Sequence, residues 1–128
     1  MHIMVVDDED DIIRLTSAVL EMNNHKTTSA CSGNECLEKL NAGIVPDIIL
    51  LYLMMPGISG YETCMKIKTD QRFKRIPVII FSAKSGRDDI EHAYRFGIDG
   101  YITKPFDPQD LLKQVERHVK ALTGHVPD

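Results

Sequence analysis

No apolar run in this chain approaches the ~20 residues that a membrane-spanning helix requires. No basic stretch precedes its first apolar residues either. The opening, MHIMVVDDED, turns acidic at once, so the sequence reads as lacking a secretion signal and as starting a cytoplasmic protein. Positive charge is not in excess: 15 Lys and Arg face 19 Asp and Glu, for a net charge of -4. Direct nucleic-acid binding normally needs a basic face and is therefore disfavoured. Cysteine is sparse. Cys31, Cys36 and Cys64 are odd in number and lack CxxC spacing, so they read as small buried hydrophobes, neither zinc ligands nor a disulfide framework. His2, His25, His92, His118 and His125 form no HxxxH or HExxH pair, and no metal role is expected of them. GxGxxG and GxxxxGK(S/T) are both absent, which removes the usual phosphate-cradling loops of dinucleotide and nucleotide enzymes.

What is present is 128 residues, 43% hydrophobic and 27% charged, the size and balance of one globular domain. Short β-branched runs alternate with helical periods. Strands are expected at 3–6, weakly at 26–30, at 48–51, at 78–81 and at 101–102. A helix over 10–22 is expected to bury Ile12, Leu15, Val19 and Met22. Ser32 with Glu35, and Ser59 with Glu62, have the spacing of capping boxes and open the next two helices, the first running to about Ala42. Residues 87–96 form a short helix with Ile90, Ala93 and Tyr94 on one face, ended by Gly97. Asp107 caps the last helix, Pro108 suits its first position, and Leu111, Leu112, Val115, Val119 and Leu122 line one stripe. Five βα alternations predict an α/β fold, a parallel sheet covered by helices on both faces. Residues 1–122 are expected to form this domain, with 123–128 as a tail or the start of a linker.

In such open sheets ligands bind beyond the carboxyl ends of the strands. Asp7, Asp8 and Glu9 follow the first strand, Tyr52 the third, Ser82 the fourth, and Thr103, Lys104 and Pro105 the fifth. Taken singly, each has an ordinary role as a helix cap or a solvated charge. Their coincidence at four strand ends points instead to phosphoryl handling. Paired carboxylates can hold a hard cation such as Mg2+, and a hydroxyl and an ammonium can each take one phosphoryl oxygen. An acceptor is missing.

The motifs VVDDE, PDIILL followed by LMMPGISG, PVIIFSA and GYITKPF, in this order over about residues 2–121, resemble the receiver domains of response regulators. The resemblance implies a flavodoxin-like, doubly wound sheet of five parallel strands in order 2-1-3-4-5 with five flanking helices. It implies a non-enzymatic signalling role in a two-component phosphorelay, with a histidine kinase or phosphotransfer protein as donor and a downstream protein target or output domain as reader. Neither a membrane nor direct nucleic-acid contact is expected. By the same resemblance Asp7, Asp8 and the Met54 main-chain carbonyl hold Mg2+, and Asp8 is the more direct carboxylate ligand. Ser82 is the switch hydroxyl, Lys104 contacts the phosphoryl group, Lys104-Pro105 is a cis bond, and Tyr101 is the aromatic rotamer switch.

Tyr52 departs from the pattern, which has aspartate at that position. A phenol cannot form an acyl phosphate. With a reference pKa of about 10 it is neutral near pH 7 and a poor ligand for Mg2+, whose binding should be weakened. Two readings follow. One is a phosphorylation-competent receiver altered at a single position, since aspartate and tyrosine codons differ by one base and the other site positions match. The other is a natural pseudo-receiver, a protein-binding module that works without phosphate. A flavodoxin or nucleotide enzyme on the same fold is disfavoured by the missing glycine motifs and the acidic first loop.

Overall fold

The structure is a computed structural model that describes residues 1–55, 57–83, 86–103 and 107–123. Strands and helices alternate as β1 (His2–Val6), α1 (Asp10–Met22), β2 (Lys26–Ala30), α2 (Gly33–Asn41), β3 (Ile48–Tyr52), α3 (Gly60–Lys68), β4 (Val78–Ser82), α4 (Arg87–Tyr94), β5 (Gly100–Thr103) and α5 (Pro108–Thr123). All four pairings are parallel and the sheet order is β2-β1-β3-β4-β5. The flavodoxin-like order expected from the resemblance is the one observed.

Strand alternation splits the core into two layers. Met4, Val6, Ile49, Leu51, Val78 and Ile80 face α2, α3 and α4, where Cys36, Leu40, Cys64, Ile67 and Ala93 meet them. Ile3, Val5, Ile48, Leu50, Ile79 and Ile102 face α1 and α5, against Val19, Leu20, Leu111, Val115 and Val119. Both expected serine caps form: the Ser32 and Ser59 hydroxyls accept the backbone N–H groups of Glu35 and Glu62. Asp107 likewise accepts the N–H of Asp110 at 2.9 Å.

Three expectations are corrected. Leu15 and Met22 are 51% and 80% exposed, while Thr16, Val19 and Leu20 are buried on α1. The true stripe shares Ile12 and Val19 with the predicted one but is turned by roughly a quarter of the helix circumference, which brings Ile13 and Leu20 inward. Tyr94 is 47% exposed, because Ala93 alone of α4 is buried against the sheet. Cys31 is exposed, at the turn between β2 and α2, whereas Cys36 and Cys64 are buried as expected.

The edge of the sheet where β4 and β5 begin is tied by one ion pair. Lys68 Nζ lies 2.7 Å from Asp99 Oδ2 and donates to the Ile76 carbonyl at 2.8 Å, and the same carboxylate oxygen accepts the Val78 N–H at 2.8 Å. Asp99→Ala would leave a half-buried ammonium without its counter-charge and the Val78 N–H without its acceptor. It is expected to cost about 2 kcal/mol, read as a lower urea midpoint at unchanged m-value.

Three histidines oppose acid. Burial lowers the His25 and His118 pKa values from 6.5, helped respectively by the amino terminus and by Arg117. Burial followed by Lys26 does the same at His2. The folded state thus binds these protons less readily than the unfolded chain. Stability should be whole above the unfolded value of 6.5 and fall as pH drops below it towards the folded values. Urea midpoints at pH 7.5 and 5.5 check the sign, and His25→Gln with His118→Gln should flatten the slope.

Candidate functional site

Strand register brings the expected groups to one edge. Val6 pairs with Leu51, so Asp7 and Tyr52 are the next residues of adjacent strands. Tyr52 pairs with Phe81, and Ser82 with Thr103. Tyr52 and Ser82 are the last residues of β3 and β4, one position inside the strands as compared with the sequence reading.

Asp7 is fully buried. Its N–H continues the ladder to the Ala30 carbonyl at 3.1 Å, and its Oδ1 accepts the Glu9 N–H at 3.0 Å. That second bond turns the chain out of β1 and leaves Asp8 and Glu9 exposed. Ser82 is 1% exposed at the end of β4. The Met54 side chain points to solvent at 55% exposure, in the turn that leaves β3.

The Tyr52 ring stacks on Phe81, with centroids 5.6 Å apart and planes 29° from parallel. It leans on both core layers. Burial raises its phenol pKa above 10.0, and the charges of Asp7, Glu9 and Asp8 raise it further. The phenol is therefore neutral, beside the carboxylates and not ionised among them. Leu53 N–H donates to the Phe81 carbonyl at 3.2 Å, and the Leu53 carbonyl accepts the Gly60 N–H at 2.9 Å. These bonds fix the backbone just beyond Tyr52 to the start of α3.

Tyr101 on β5 is half-buried and packs on the layer that faces α2, α3 and α4. It lies near enough to Tyr61 to help burial raise that phenol's pKa. Tyr61 also stacks on Phe96 at 4.5 Å, and the His92 ring stands edge-on to both at 5.2 Å. Sequence reading missed this trio, since Tyr61 and His92 are 31 positions apart and share no motif. It also missed Gly60, whose one signal is a residue without a side chain directly after the Ser59 cap. Lys104 and the Lys104-Pro105 bond lie outside the described residues.

Magnesium is a hard cation that takes about six oxygen ligands. Among the described residues no three His, Cys, Asp or Glu side chains converge as ligands. Asp7 and Asp8 provide two carboxylates, and the neutral Tyr52 phenol adds no charge. Among the described residues the side chains would fill only part of the coordination shell, as is usual for an ion that keeps several waters.

The response regulator receiver domain family matches residues 3–116. Protein PilG of Pseudomonas aeruginosa is 37% identical over 123 residues, covering 96% of this chain and 90% of that protein. Response regulator SaeR of Staphylococcus epidermidis is 38% identical over 111 residues, covering 87% of this chain and 47% of its own length. The chain thus spans nearly all of PilG and about half of SaeR. Among solved structures, the N-terminal domain of a response regulator receiver protein from Methanoculleus marisnigri is 38% identical, with TM-score 0.74 over 91% of this chain and 94% of that one. Chemotaxis response regulator CheY4 of Vibrio cholerae is 25% identical, with TM-score 0.86 over 91% and 97%.

Proposed function

Because the chain belongs to the response regulator receiver domain family, we propose that it is a two-component phosphorelay receiver with Tyr52 at the acceptor position, unable to take an acyl phosphate as the sequence stands. The observation that carries this is the place of Tyr52. It ends β3 beside Asp7, one strand from Ser82, with a neutral phenol where the reaction needs a carboxylate. In this reading the receiver occupies residues 1–122, with 123–128 as tail or linker. Asp7, Asp8 and the Met54 carbonyl are the metal-side groups, Ser82 and Lys104 contact a phosphoryl group, and Tyr101 carries the state of the site to the surface of α4, β5 and α5. Lys104-Pro105 is the cis bond that aims the lysine. A histidine kinase or phosphotransfer protein is the donor, and a downstream protein target or output domain is the reader.

Family receivers bind Mg2+ at the phosphorylation site. With one carboxylate replaced by a phenol, Mg2+ is expected to bind this chain more weakly than its Tyr52→Asp variant. Isothermal titration of both proteins tests this, and equal affinities would show that Tyr52 does not limit the metal.

The proposal itself is tested by treating the protein with acetyl phosphate and Mg2+ and measuring intact mass. No gain is expected. A hydroxylamine-labile gain of one phosphoryl group would defeat it. A second reading, the natural pseudo-receiver, draws support from how well the ring is housed. Tyr52 packs against both core layers, and among the described residues no buried side-chain polar atom lacks a partner. The source gene's codon for position 52 separates an altered receiver from a natural one.

A further inference from the structure

Charge is segregated along the strand axis. Five of the 15 Lys and Arg fall within residues 66–75, with Asp70 as the one acid among them. Asp7, Asp8, Glu9, Asp10 and Asp11 stand at the opposite edge, where β1 ends. The placement follows from α3, which starts against Leu53 at the carboxyl end of β3 and finishes with Lys68 on Asp99, at the edge where β4 and β5 begin.

Two of the five cations are occupied. Lys68 is held by Asp99. Arg72 donates to Asp70 Oδ2 and to Asn41 Oδ1, each at 2.8 Å, and its guanidinium lies 4.6 Å above the Phe73 ring. Lys66, Lys74 and Arg75 are exposed and enter none of the ion pairs among the described residues. The negative end of the α3 dipole accounts for a cation at Lys66. It does not account for Lys74 and Arg75, which lie past the helix. The bond from Arg72 to Asn41 joins this turn to the end of α2, and the loop that follows α2 exposes Ile44 at 37% and Val45 at 51%. Arg72 thus ties a turn with free cations to a loop with an exposed aliphatic pair, on the edge remote from the Tyr52 site, and the carboxylate that follows this pair, Asp47, accepts the His2 N–H at 2.7 Å.

We propose that this edge docks an acidic segment of a protein partner that carries aliphatic side chains between its carboxylates. Charge complementarity selects the acidic partner, and Ile44 with Val45 select the aliphatic content. A nucleic acid would meet the same cations on a chain of net charge -4, and would leave the two aliphatic side chains unused. A second copy offering its own acidic edge would leave its basic edge free to repeat the contact without closing.

The test uses the full chain at low salt and two fluorescein-labelled peptides, EELEELEE and EEGEEGEE, read by fluorescence anisotropy. EELEELEE is expected to bind with a Kd of about 100 µM or tighter, and roughly threefold or more tighter than EEGEEGEE. Lys66→Glu with Lys74→Glu and Arg75→Glu should weaken it about tenfold or more. Ile44→Ser with Val45→Ser should abolish the preference for leucine while binding of EEGEEGEE stays unchanged. All five side chains are exposed, and circular dichroism melts confirm that the variants fold. Equal binding by the triple variant would overturn the proposal. So would equal affinity for the two peptides, tighter binding of a dT oligomer, or salt-sensitive self-association on sedimentation.

Discussion

Tyr52→Asp is expected to convert a chain that gains no phosphoryl group into one that gains a single hydroxylamine-labile group from acetyl phosphate and Mg2+. The change restores the attacking atom and little else. An introduced carboxylate oxygen attacks phosphorus in line, the bond from phosphorus to the acetyl oxygen breaks, and acetate leaves with that electron pair. Protein groups around a transferring phosphoryl position it and offset its charge, so they cannot stand in for an absent nucleophile. The phenol fails in two ways. Burial and three neighbouring acids hold it neutral, and its oxygen lies several ångströms further from Cα than a carboxylate oxygen does. Intact-mass spectrometry reads the outcome. A Tyr52→Asp protein that stays unlabelled would locate the defect elsewhere in the site and undermine the proposed roles of Asp8, Ser82 and Lys104.

The second large effect is on stability. Gly60→Ala is expected to cost about 4 kcal/mol, a large part of the 5–15 kcal/mol typical of a folded domain. A Cβ at Gly60 would stand 2.7 Å from the Tyr52 carbonyl oxygen and 2.8 Å from the Leu53 Cα. Both are backbone atoms of the strand end and cannot swing aside. The damage would therefore reach the site as well as the fold. Gly43→Ala is the control: its φ is +95° but no atom lies within 4 Å of a Cβ there, so left-handed strain alone should cost roughly 1 kcal/mol. Urea midpoints that fall equally in the two variants would refute the close-approach argument.

The sheet was legible because its signal is local. Val-Ile-Leu runs between capped helical periods are enough to give strand number and direction, and the family resemblance carried by the strand-end motifs implies their order. The α1 stripe was not legible for a related reason. Ile12, Ile13, Leu15, Val19, Leu20 and Met22 spread over about half of the helix circumference, wider than one buried stripe, so periodicity alone permits two faces. The choice is made by contact with α5 and the sheet, which bury Leu20 completely and leave Met22 out. Of the site, position along the chain was readable at Asp7, Asp8, Tyr52, Ser82 and Tyr101. Orientation was not. That Asp7 is buried and Asp8 exposed follows from a bond between Asp7 Oδ1 and the Glu9 N–H, which a sequence does not display. The Tyr52 stack on Phe81 depends on how the two rings turn at the strand ends, which strand order alone does not fix, and the tie between Lys68 and Asp99 joins residues 31 positions apart.

Two helices that start at the Tyr52 edge of the sheet, α3 and α4, differ as mechanical parts. α3 is fastened at both ends, by the Gly60 N–H at its start and by Lys68 at its finish, and it buries Thr63, Cys64 and Ile67 between them. α4 follows Gly86, has no side-chain cap, and buries Ala93 alone. A push delivered at the strand ends would meet a stiff strut on one side and a compliant one on the other. Displacement would concentrate in the compliant part, so the asymmetry of fastening favours one direction of yield, whatever delivers the push.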